Sequence, residues 1–227
     1  MDYKANIEKI RSDIREVCRE CGRSPDEITL IAAVKTQTSG AIAAVAGCVS
    51  DLGENRVQEF VAHYAKDAPF KWHFIGRLQT NKVKYLIGKD VLIHSLDREE
   101  LAKEIDRLSL KNSVITDCLV EVNIADEASK GGTSADGAEE FINGLAMRRG
   151  IRVLGLMSVL PASDNAADTE RYYRALYELF VRVRNMRGGN LDCKYLSAGM
   201  SNDYKTAVKY GANMIRLGSA IFGKREV

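Results

Sequence analysis

The feature that most restricts this chain is a regular alternation. Short apolar runs of β-prone residues recur along its length, and each is followed by a stretch with helical spacing. Before the first run, Ile7, Ile10, Ile14 and Val17 predict a helix over 3–21; Gly22 stops it and Pro25 opens the next turn. Strands are predicted at 28–34, 48–52, 71–75, 91–94, 117–123, 152–156, 193–196 and 213–216. Helices are predicted between them at 40–46 (with Ser39 as N-cap), 56–66, 80–87, 98–110, 136–148, 168–186 and 202–210, and a short helix closes the chain. The segment 124–135, with Lys130-Gly-Gly132, reads as a long loop.

Eight strand-then-helix units imply a parallel sheet. Packed into 227 residues, they fit a closed (β/α)8 barrel better than an open one, with the first helix as an addition. The competing fold is a doubly wound open sheet, but no G-x-G-x-x-G follows the first strand. No linker, low-complexity tract or repeat divides the chain, so residues 1–227 are expected to form a single α/β domain.

Charge and composition exclude several classes. The net charge is +2 with Lys and Arg scattered, which argues against a nucleic-acid surface. No apolar run approaches the roughly 20 residues that cross a bilayer. The charged amphipathic start is unlike a signal peptide, so a cytoplasmic protein is expected. The five cysteines suit a reducing compartment. Cys18 and Cys21 form a C-x-x-C with no second pair or histidine cluster, and read as two incidental helix cysteines.

A barrel gathers its ligand-binding residues at the carboxyl ends of its strands. The residues at those positions are Lys35, Asn55, His73 with Gly76, Asn123, Met157 with Ser158, Ser197–Ser201 and Arg216–Ser219. Phosphate commonly sits on the loops after the seventh and eighth strands. Gly199-Met-Ser201 and Gly218-Ser219 suit that role, because glycine admits an anion close to the backbone and serine donates a hydrogen bond. Lys35 ends the apolar run Leu30–Val34, where an unpaired amine is costly unless it has a use. An amine made nucleophilic by burial or by a nearby cation such as Arg216 forms Schiff bases. A phosphate site opposite such a lysine points to pyridoxal phosphate or to a sugar-phosphate aldehyde.

The stretches AVKT (33–36), GENRVQE (53–59), WHFIGRLQTNK (72–82), VNIADEASKGG (122–132), GLM (155–157), LSAGMSNDY (196–204) and IRLGSAIFG (215–223) resemble the pyridoxal phosphate homeostasis proteins, in family order and over nearly the whole chain. The resemblance implies a barrel similar to the N-terminal domain of alanine racemase. It implies pyridoxal 5'-phosphate as cofactor, with Lys35 as the Schiff-base lysine and Ser201, Gly218 and Ser219 as phosphate ligands. Arg216 would face the pyridine nitrogen, and Asn55 and Met200 would line the pocket. Three departures stand out: Val34 where the family has Ser or Thr, no proline after Thr36, and Ser219 where Thr is common.

Within that resemblance two functions compete. An arginine at the ring nitrogen disfavours its protonation and makes a weaker electron sink. The resembling racemases also use a second domain and a partner subunit, neither of which this chain is expected to supply. The expected function is therefore a monomeric carrier in vitamin B6 homeostasis, with no turnover of its own, that serves pyridoxal phosphate-dependent apo-enzymes and indirectly amino-acid balance. The alternative is a compact amino-acid racemase with Tyr204, His73 or Cys193 as second base. A sugar-phosphate aldolase using Lys35 would leave Arg216 without a role.

Overall fold

The structure is a computed structural model and describes residues 2–127, 130–161 and 165–223. Helix α1 (Tyr3–Cys21) starts at Asp2, whose carboxylate accepts from the Ala5 N–H, and ends at Gly22 in the left-handed conformation that lets glycine close a helix. Strand β1 (Thr29–Ala33) follows, then α2 (Ser39–Val45), β2 (Asp51–Glu54), α3 (Val57–His63), β3 (Lys71–Phe74), β4 (Val91–Leu96), α4 (Glu99–Lys111) and β5 (Thr116–Asn123). The chain continues with β6 (Thr133–Ser134), α5 (Ala138–Leu145), β7 (Ile151–Met157), α6 (Ala166–Arg184), β8 (Leu191–Ser197), α7 (Tyr204–Lys209), β9 (Met214–Leu217) and α8 (Ser219–Phe222).

Eight strands close a parallel barrel in the order β4-β3-β2-β1-β9-β8-β7-β5, completed by β5 against β4. The expected (β/α)8 architecture is therefore the observed one. The short β6 pairs with β5 outside the ring, through Val122 with Thr133. Two apolar layers result. Strand residues alternate, so one set faces the helices, where Leu52, Phe60, Trp72, Leu101 and Tyr173 are buried. The other set fills the barrel interior, where Ile31, Leu119, Leu154, Met157 and Met214 pack together. Each such burial contributes about 1.5–3 kcal/mol relative to an exposed side chain.

Four local expectations change. Thr38, not Ser39, caps α2, its hydroxyl accepting from the Ala41 N–H. Strand β2 begins at Asp51 and runs on through Gly53-Glu54, beyond the expected 48–52. Glycine belongs in that strand because a Cβ there would sit 3.0 Å from both Ile31 and Ile75. The predicted helix over 80–87 is a 3-10 helix, Thr80–Tyr85. The loop 124–135 contains β6, which is too short to leave a periodic signature.

Helix α1 closes the outer layer where the barrel's first and last units meet. It buries Ile7, Ile10, Ile14 and Cys18. Polar ties fix it to the C-terminal unit: Asn6 donates to the Ile221 carbonyl at 2.8 Å, and Tyr204 donates to Asp13 at 2.6 Å. Arg23, just beyond the helix, donates to the Val208 and Ala212 carbonyls. Cys18 and Cys21 are free thiols on this helix, and the described residues contain no His/Cys/Asp/Glu group able to hold a metal ion. No helix among the described residues is long and apolar enough to cross a membrane.

Candidate functional site

Lys35 lies two residues beyond β1, in a turn closed by the Gln37 N–H donating to the Val34 carbonyl at 2.9 Å. The buried strand-end amine expected from the apolar run is not observed. Lys35 is half-buried, and its side chain has no hydrogen-bond or ion-pair partner among the described residues. The turn is bent by Thr36, whose φ of 63° is unusual for a β-branched residue and costs on the order of 1–3 kcal/mol. Glu59 at the start of α3 holds it there, accepting from the Thr36 N–H at 3.2 Å. A strained turn fixed from outside presents a lysine in one place, and neither Thr36 nor Glu59 was singled out from sequence.

Asn55 follows β2 directly. Its Oδ1 is buried without a partner, an acceptor that a ligand hydroxyl would satisfy. Its backbone lies against Gly76, where a Cβ would fall 2.2 Å from the Asn55 carbonyl oxygen. Gly76 is thus what allows the loops after β2 and β3 to touch.

Across the same end of the barrel, the loop after β8 turns at Gly199, φ 97°, where a Cβ would overlap that of Ala207 at 2.6 Å. Asp203 braces the loop from both sides: it accepts from the Met200 N–H at 2.6 Å and from the Tyr173 hydroxyl at 2.7 Å. Met200 is exposed at 40% and Ser201 is half-buried. The Ser201 Oγ accepts from the Ala220 N–H at 3.1 Å, which joins this loop to the start of α8. Gly218 and Ser219 form that start, and the first amides of a helix have no partner within it. These residues fit a bound phosphate: small side chains, two hydroxyls and unused amides converge between β8 and β9.

Arg216, on β9, is only 5% exposed. It is held from two sides, Nη1 donating to Ser197 Oγ at 2.8 Å and Nη2 to the Ser158 carbonyl at 2.9 Å. Ser158 is fixed in turn by donating to the Val122 carbonyl at 2.8 Å. Burial lowers the Arg216 pKa, while Tyr173, Glu121 and Asp203 act in the opposite direction. Glu121 on β5 is a further acid in this field. Burial, reinforced by Asp97, pushes it up to about 7 against the pull of Arg216 and Arg77.

Several suspected residues have other duties. His73 is not on the rim: it lies inside the barrel, 2.9 Å from both Asp51 and His94. Asn123 shapes its own loop through two bonds with the Glu127 backbone. Met157 belongs to the barrel interior. Tyr204 is tied to Asp13 on α1, and burial raises its pKa. Cys193 faces the Val153 carbonyl at 3.8 Å, and burial pushes its thiol up to about 11. None of the three candidate racemase bases therefore stands free at the carboxyl end.

Residues 5–226 match the family model for the alanine racemase N-terminal domain. A pyridoxal phosphate homeostasis protein of Aquifex aeolicus is 41% identical over the full length of both chains. This chain belongs to the pyridoxal phosphate homeostasis protein family. Among solved structures, an unknown protein from Bifidobacterium adolescentis superposes with a TM-score of 0.90 at 27% identity, covering 97% of this chain and 94% of that one. PipY of Synechococcus elongatus PCC7942, solved with PLP bound, superposes with a TM-score of 0.79 at 28% identity, covering 92% of this chain and all of that one. Family membership and the barrel agree with the resemblance seen in the sequence motifs.

Proposed function

We propose that this protein binds pyridoxal 5'-phosphate on Lys35 and takes part in intracellular vitamin B6 homeostasis. One observation carries the reading. A partnerless lysine in a braced turn, an immobilised buried arginine and two joined glycine–serine loops occupy the same end of one barrel. When bound, the cofactor supplies an aldehyde carbon that reversibly captures amines. The chain's own residues do the rest. Lys35 provides the amine that holds the aldehyde. Ser201, Gly218 and Ser219 hold the phosphate, Arg216 faces the ring nitrogen as a hydrogen-bond donor, and Asn55 and Met200 line the pocket.

An arginine there keeps the ring nitrogen unprotonated, which weakens the ring as an electron sink and favours storage over turnover. We read the protein as a carrier without catalysis of its own. We further read residues 1–227 as one cofactor-binding domain, acting as a cytoplasmic monomer that supplies apo-enzymes. The names of the relatives and the PLP-bound PipY structure support the cofactor.

Absorption spectroscopy tests this. Adding the cofactor to the protein is expected to produce a visible band that borohydride fixes covalently to Lys35, with no racemisation of amino acids. A protein that stays colourless at saturating cofactor would sink the reading, and steady racemisation would replace the carrier with an enzyme.

A further inference from the structure

A continuous chain of hydrogen bonds crosses the barrel interior beneath the proposed cofactor site. Arg216 Nη1 meets Ser197 Oγ at 2.8 Å, and Ser197 Oγ meets His94 Nδ1 at 3.0 Å. His94 Nε2 meets His73 Nδ1 at 2.9 Å, and His73 Nε2 meets Asp51 Oδ1 at 2.9 Å. Every member is at most 6% exposed. The chain joins five strands, β9 and β8 to β4, β3 and then β2. It ends at Asp51, which Ser50 also caps from its other oxygen. Nothing in cofactor binding requires two buried histidines here.

The two ends of the chain decide its direction. A guanidinium only donates, and a carboxylate only accepts. Asp51 therefore takes a proton-bearing Nε2 from His73. If His73 is neutral, its Nδ1 must accept, so His94 donates from Nε2. If His94 is neutral, its Nδ1 accepts from the Ser197 hydroxyl, whose oxygen is then left to accept from Arg216. His73, His94 and Ser197 each donate once and accept once, and none of their side-chain nitrogens or oxygens is left over. Two charged arrangements compete: an imidazolium at His73 reverses both inner bonds, an imidazolium at His94 reverses only the bond to Ser197, and each leaves the Ser197 proton without this acceptor. The chain is also not a route for protons to the cofactor, because it ends on a guanidinium that does not give up its proton.

We propose that neutral His73, His94 and Ser197, anchored on the Asp51 carboxylate, form a one-way relay that positions the Arg216 guanidinium. The consequence for the cofactor rests on the function proposed above: two of the guanidinium's hydrogens are committed to Ser197 and Ser158, which leaves its remaining N–H groups in one orientation for the ring nitrogen. The charged and titratable groups around the relay are Asp51 and Lys71 at its lower end, and Arg216, Glu121, Asp203 and Tyr173 at its upper end.

The test begins on the cofactor-free protein, so that it decides the relay whether or not the cofactor reading holds. Nitrogen-15 NMR of the imidazoles at pH ~7.5, a full unit above the ordinary histidine pKa, is expected to find His73 and His94 both neutral and both protonated on Nε2. The Arg216 guanidinium is expected to rotate slowly. Ser197→Ala speeds that rotation and releases the His94 tautomer, and Ser197→Thr, which keeps the hydroxyl, restores both. With cofactor, Ser197→Ala retains it about tenfold less tightly and shifts the visible band, again with rescue by threonine. An imidazolium at His73, a proton on His94 Nδ1, or a guanidinium as slow in Ser197→Ala as in the parent overturns the relay. A relay intact by NMR in a protein that never colours would instead overturn only the cofactor reading.

Discussion

The two ends of the barrel are built from the same strands and differ in how their polar groups are satisfied. The amino-terminal end holds a cavity of about 710 Å³ bordered by Arg15, Lys71, Asp51, Asp117 and Leu154. Its buried carboxylate, Asp51, is bonded by His73 and Ser50, and Asp117 is gripped by Arg152 through two bonds of 2.7 Å. The carboxyl-terminal end carries a lysine without a partner among the described residues, an orphaned Asn55 oxygen and a strained Thr36. Unsatisfied atoms occur at both ends, Trp72 Nε1 beside the amino-terminal cavity among them; what distinguishes the site proposed above is the strained Thr36 turn that presents Lys35.

The largest expected effect separates the two ends directly. Lys35→Ala abolishes the visible band and lowers cofactor retention beyond detection, whereas Lys71→Ala, at the other mouth, leaves both unchanged; equal losses would erase the distinction. Gly76→Ala comes next. A Cβ 2.2 Å from a backbone oxygen forces the loops after β2 and β3 apart, and urea denaturation is expected to show a loss of about 3 kcal/mol.

Opposite pH signatures sharpen the same contrast. Glu121, near the site, rises from 4.5 to about 7, chiefly by burial. Its folded pKa lies above its unfolded one, so its contribution is fully present below pH ~4.5 and is lost as pH rises through ~7, by up to about 3 kcal/mol. Glu121→Gln should therefore gain stability on the parent between pH 5 and 8, about 2 kcal/mol by urea titration. Asp51 behaves in the reverse sense. Burial would raise its pKa, but the bonds from His73 and Ser50 outweigh it and the net shift is downward. Its contribution is present above pH ~3.8 and is lost as pH falls through the depressed value. Asp51→Asn should flatten the acid limb and leave the limb above pH 5 unaltered. The smallest effect is at Thr36→Gly. Relief of the positive φ is expected to raise stability by up to about 1 kcal/mol, while a looser Lys35 retains the cofactor a few-fold less well.

Much of the fold could be read from periodicity alone. Helix α1 is predicted at its observed limits, because Ile7, Ile10 and Ile14 repeat on one face and Gly22 supplies the left-handed stop. The failures lie where a residue's surroundings outweigh its habit. The strand is expected to stop at 52, yet it continues through Gly53-Glu54, where a packed barrel needs a residue without a side chain beside Ile31 and Ile75. The segment at 80–87 has helical spacing but tightens to a 3-10 helix. Among the residues of the proposed site, the strand-end rule selects Lys35, Asn55, Ser201, Arg216, Gly218 and Ser219. It misplaces His73, since position along a strand does not reveal which layer of the barrel a side chain enters. Asp51 and His94 are polar residues within apolar strands, and that signal was available.

What the sequence determines by itself is therefore the alternation, the barrel that follows from it, and the residue types delivered to the carboxyl ends of the strands. These are local properties, set by side-chain spacing and by where glycine interrupts it. Tertiary structure decided which polar residues find one another. Asp51 and Ser197 are far apart in the chain and are joined only because closing β4 against β5 completes a ring whose interior His73 and His94 span. The same closure leaves Lys35 without a partner while it gives Tyr204 and His73 theirs. Hydrogen bonds require contact within about 3 Å, and only the folded barrel specifies contacts between residues that the sequence holds so far apart.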